Sequence, residues 1–140
     1  MKQVIFAAFF TLFLLVCANS AFACLCALRS NKEHIKIMKK QADAIFTGTV
    51  KAVSREPSLA YKVTFAVQKS WKSKDIKEYT IYTSGGCNVW FEEGKSYLVY
   101  AVREGTGQLI TDVCMGTGIL LLTQKQVKLL GKPVFINTIE

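Results

Sequence analysis

The chain has 140 residues and a net charge of +8, from 18 Lys and Arg against 10 Asp and Glu. It holds a single histidine and shows no paired carboxylates at working spacing, no nucleophile elbow and no histidine dyad. It therefore does not read as an enzyme, and no cofactor is expected.

The first residues read as a secretory leader. Lys2 supplies the positive start, Val4 to Ala18 is apolar except for Thr11, and Ala21-Phe22-Ala23 is a small-residue cleavage site. The apolar run of 15 residues falls short of the roughly 20 that span a bilayer, so no transmembrane segment is expected. Cleavage after Ala23 leaves 117 residues, one domain of ordinary size, and Lys2 departs with the leader, so +8 becomes +7. The product is an exported protein: secreted, or periplasmic or envelope-bound in a Gram-negative cell. Nucleic acid is not an expected partner there, whereas acidic glycans, anionic headgroups and cell-wall polymers are available to a basic surface. A monomer is expected.

Cys17 goes with the leader, and Cys24, Cys26, Cys87 and Cys114 remain. In an oxidising compartment these four pair as disulfides. A Cys24–Cys26 bond would close a strained ring, so each takes one distant partner, Cys87 or Cys114. A zinc site of the chain's own is disfavoured, because the spacing is not C-x₂-C and His34 stands alone. Side chains at i and i+2 of an extended segment share a face, so Cys24 and Cys26 point inward and Leu25 outward. The new α-amine would sit on Cys24. With a reference pKa of about 7.7–8.0, a useful fraction is neutral near pH 7 and can close a five-membered metal chelate with the adjacent carbonyl.

Ser30-x-x-Glu33 is a capping box that opens a helix over Asn31–Ala42, with Ile35, Met38 and Ala42 on one face. Lys32, Lys36, Lys39 and Lys40 share another face, which reads as solvated or as a polyanion contact. The period then changes to two. Strands are expected over 44–53, with Gly48 a bulge, then 61–69, 79–83, 96–102 and 108–113, separated by glycine turns at 84–86, 93–95 and 104–107. Thr123-x-x-Gln126 is a second capping box, for a helix ending near Leu130 before Gly131 and Pro133. Trp71 and Trp90 read as packing or strand-end aromatics. The expected fold is mainly β: a five-stranded closed barrel with an N-terminal and a C-terminal helix.

A mature N-terminal Cys-x-Cys resembles the tissue inhibitors of metalloproteinases, whose inhibitory domain is a netrin-like OB-fold. Supporting stretches are Ala42-Asp43-Ala44-Ile45-Phe46-Thr47-Gly48, Trp71-Lys72, Cys87 followed by Phe91-x-x-Gly94, Tyr97-Leu98-Val99-Tyr100-Ala101, and Leu109-x-Thr111-x-x-Cys114. The resemblance covers residues 24–118 of a single netrin-like domain over 24–140. It implies bridges Cys24–Cys87 and Cys26–Cys114. It also implies that the amine and carbonyl of Cys24 chelate a protease's zinc, that Leu25 enters the S1′ pocket, and that Ser84-Gly85-Gly86-Cys87 completes the contact ridge with Ala27 and Leu28. Vertebrate members carry twelve cysteines and a second domain, whereas this mature chain has four; Ala27-Leu28 also stands where the family usually has a stretch with a proline. The alternative is an exported netrin-like module that binds anionic glycans or envelope or matrix proteins without inhibiting anything.

Overall fold

A computed structural model describes residues 24–58, 60–83 and 85–137. The leader, residues 1–23, and Ser84 of the expected ridge lie outside the described residues. Among those described, no helix is long and apolar enough to cross a membrane.

Helix α1 (Asn31–Gln41) starts where the Ser30 hydroxyl accepts the Glu33 amide, and it ends one residue short of expectation, with Ala42 extended as its cap. The strands follow: β1 (Ala44–Arg55), β2 (Tyr61–Ser70), β3 (Glu78–Thr83), β4 (Ser96–Arg103) and β5 (Leu109–Ile110). They run in the order β1-β2-β3-β5-β4, and β4 pairs back onto β1, which closes a five-stranded OB-like barrel. Only β3 with β5 is parallel. Gly48 marks a register shift in β1, as expected; a Cβ there would lie 2.7 Å from the Ala66 carbonyl oxygen, so no larger residue fits. A second shift, between Val50 and Ala52, carries no sequence signal.

Alternate residues of β1 and β4 serve two cores, because both strands are covered on two sides. Phe46, Tyr97, Val99 and Ala101 point into the barrel with Val63, Phe65, Val67 and Ile81. Ile45, Leu98 and Tyr100 point outward and are covered by Ile35, Met38 and Ala42 of α1 and by Leu130 of α2 (Gln124–Leu130). This explains the near-continuous apolar runs 44–46 and 97–101, which lack the half-buried alternation seen in β2. Burial pushes the Tyr100 hydroxyl well above its usual range, so it stays a neutral donor to the Gln126 side chain.

Three expectations are corrected. The strand over 108–113 is only two residues long, because the Asp112 carboxylate accepts the Met115 amide and turns Val113–Met115 into a 3₁₀ turn. The second capping box does not form: the Thr123 hydroxyl donates back to the Ile119 and Leu120 carbonyls, and Gln126 is taken by Tyr100. Two further short strands, β6 (Gly118–Ile119) on β4 and β7 (Phe135–Ile136) on β2, were not anticipated.

The gap between β5 and β6 has a chemical consequence. Tyr100 lies where β4 has lost β5 as a neighbour and has not yet met β6. The Thr117 hydroxyl accepts its N–H at 2.9 Å, the Thr111 hydroxyl donates to its carbonyl at 2.7 Å, and the two hydroxyls lie 2.7 Å apart. A pair of buried threonines thus replaces a missing strand.

Candidate functional site: a ridge held by two disulfides

Residues 24–30 form no regular structure and run over the barrel rim. Cys24 is bonded to Cys87 and Cys26 to Cys114, with Cα–Cα separations of 5.5 and 5.1 Å. This is the pairing that the resemblance implies. Both N-terminal cysteines are half-buried, while Leu25 between them is 96% exposed. The alternation argued from an extended segment therefore holds. Ala27 and Leu28 are exposed as well.

The neighbouring strip is Gly85, Gly86 and Cys87, and both glycines are exposed. The Cys24 sulfur lies 3.3 Å from the Gly86 carbonyl oxygen. An oxidised sulfur has no proton to donate, so this is a packing contact that sets the two strips side by side. Two main-chain bonds brace the far side: the Val113 amide donates to the Cys87 carbonyl, and the Thr111 amide to Tyr82. The 3₁₀ turn thus holds Cys87 through its backbone and Cys26 through Cys114. Sequence reasoning missed this brace; its signal was Asp112, three residues before the amide that it caps.

The lysine row on α1 divides. Lys39 is not free, for its ammonium donates to the Leu130 carbonyl at the end of α2. Lys72 in turn donates to the Lys39 carbonyl at the end of α1. Both cations sit on helix C-termini, where they stabilise the exposed carbonyls. Lys32, Lys36 and Lys40 are exposed and make no ion pair among the described residues. His34 is half-buried instead of lying free on the surface; its Nε2 is 2.8 Å from the Met115 carbonyl oxygen, and its edge meets Tyr100. Trp71 packs against the helix layer and donates to the Gly131 carbonyl, whereas Trp90 is 74% exposed beside Tyr61. Among the described residues no three His, Cys, Asp or Glu side chains are grouped to hold a metal ion.

No protein-family model matches this sequence, and no curated protein matches it significantly. The inhibitor family remains a resemblance carried by the residues quoted above.

Proposed function

We propose that the protein is an exported inhibitor of zinc metalloendopeptidases, acting through residues 24–28 and 85–87. The observation that carries this reading is Leu25, 96% exposed between two cysteines that are each bonded to the barrel. An apolar side chain held out in this way gains nothing for folding and is preorganised for a pocket elsewhere, so little conformational freedom is lost on binding. Once residues 1–23 are removed, the amine and carbonyl of Cys24 would take the open position of the protease's zinc, where water or substrate otherwise binds. Leu25 would fill the apolar pocket beside the metal, and Gly85 and Gly86 would let the second strip approach closely.

One added residue separates this mechanism from simple surface contact. An alanine placed before Cys24 turns the primary amine into an amide nitrogen, a poor metal ligand, and leaves both disulfides intact. Inhibition of a panel of zinc endopeptidases is expected to collapse while the melting temperature barely moves. Equal inhibition by the extended form would show that the amine is not the ligand. The intact mass of the exported protein checks the premise, since it fixes the terminus, reveals any lipid on Cys24 and counts the thiol hydrogens lost.

A second reading, a binding module for anionic polymers, is favoured by the exposed Lys32, Lys36 and Lys40. Retention on a polyanion column that falls with salt, and falls further when these three are changed to Gln, supports it if no protease is inhibited.

A further inference from the structure

The turn before α2 and the outer face of α2 carry a pattern that neither reading uses. Leu121 and Leu122 are 81% and 82% exposed, side by side at the tip of the turn, and Leu129, near the end of α2, is 40% exposed. Lys125, Lys128 and Lys132 are interleaved with them, and all three are exposed. From residue 113 to 139 the sequence holds no acidic residue. The Lys39–Leu130 contact and the bond from Lys72 to the Lys39 carbonyl tie the C-terminal end of α2, the end away from the leucine pair, to α1. Trp71 ties the same corner to Gly131. Exposed lysines of α2, and Lys132 just after Gly131, thus follow the apolar tip along the chain.

The tip is built to stay out. Leu120, just before it, packs into the helix-layer core, and Thr123, just after it, is buried. The Leu122 and Thr123 amides and the Thr123 hydroxyl all bond the Ile119 carbonyl, and the Gln124 side chain donates to the Leu120 carbonyl. These bonds hold the turn in a conformation that leaves both leucines exposed. The turn's polar backbone is largely satisfied within itself, which lowers the penalty for entering a poorly hydrated layer.

We propose that this face docks on an anionic lipid surface, with Leu121 and Leu122 entering the headgroup–acyl boundary and the lysines on the headgroup phosphates. An apolar tip followed by exposed lysines matches the chemistry of such an interface. A sulfated or carboxylated polymer would engage the lysines but leave the leucine pair without a partner. A second copy of the chain would bring like charge against like charge.

Sedimentation of the disulfide-bonded protein with vesicles tests this. Binding is expected to vesicles containing phosphatidylglycerol and to be much weaker on phosphatidylcholine alone. It should decline as salt rises, since screening shortens to about 8 Å at physiological ionic strength. Leu121→Ser combined with Leu122→Ser should lower partitioning about tenfold or more while leaving heparin retention unchanged. Lys125→Gln, Lys128→Gln and Lys132→Gln together should remove the preference for anionic vesicles. All of these sites are exposed, and unchanged melting temperatures establish that the variants fold. Undiminished sedimentation of the leucine variant overturns the proposal. So does heparin retention without any vesicle binding, which would assign the face to a polymer. A concentration-dependent dimer that the leucine variant abolishes overturns it in favour of self-association. Protease inhibition by residues 24–28 plays no part in any of these outcomes.

Discussion

The ridge and the helix layer flank the same barrel, yet they are attached to it by different physics. The helix layer is attached by burial: Ile35, Met38 and Leu130 are at most 6% exposed against Ile45, Leu98 and Tyr100. The ridge has no such anchor, because its apolar side chains, Leu25 and Leu28, face solvent. Among the described residues it is held by two disulfides and by the main-chain bonds beside Cys87, with no packed side chain of its own beyond the cysteines. A segment that keeps its apolar side chains free for a partner cannot also spend them on the fold. Cross-linking to a rigid rim is the remaining way to hold it in one geometry.

Substitutions in the two regions are expected to separate stability from inhibition. The largest loss is expected from replacing Cys24 and Cys87 together by Ser. The bond closes a loop of 63 residues in sequence separation, which in the chain-entropy model is worth about 4 kcal/mol. Denaturant midpoint and inhibition should both fall, since the same bond holds the site. Met38→Ala in the helix layer should cost about 3 kcal/mol through a cavity under α1. It should leave inhibition per folded molecule unchanged. Thr117→Val keeps the shape but leaves the Tyr100 N–H without its acceptor, at a cost of about 2 kcal/mol. Unaltered stability in Thr117→Val, measured by urea titration, would mean that the paired hydroxyls are not replacing a strand.

Strands β2 and β3 were legible in the sequence because their two faces differ in burial and leave a period, and β1 and β4 because both faces are covered and leave apolar runs. Tyr61, Val63, Phe65 and Val67 alternate as a half-buried strand should, and Gly48 marked a shift. The Cys-x-Cys spacing told which side chain would point out. What stayed hidden are features set by partners far along the chain. Thr123 and Gln126 have the spacing of a capping box, but Ile119 and Tyr100 compete for their side chains and win. Lys39 looks like any other member of a lysine row until the carbonyl of Leu130, 91 residues away, is placed beside it. The short β6 and β7 are two residues each, below the length at which alternation can register.

The smallest expected effect on stability and the sharpest on function meet at Leu25. The side chain is 96% exposed, so Leu25→Gly should change folding stability by no more than about 0.5 kcal/mol. Burying a leucine in a partner's pocket is worth roughly 1.5–3 kcal/mol. Each 1.4 kcal/mol is about tenfold in affinity, so the inhibition constant should rise by a factor of about ten to a hundred. Leu25→Met, which keeps apolar volume, should restore most of the loss. Leu121→Gly is the matched control: it removes another highly exposed leucine, outside the ridge, and should leave inhibition untouched. If Leu25→Gly inhibits as well as the native protein, the pocket contact is absent, whatever the Cys24 amine does. If Leu25→Gly and Leu121→Gly weaken inhibition alike, the effect comes from surface apolarity in general and the ridge has no privileged role.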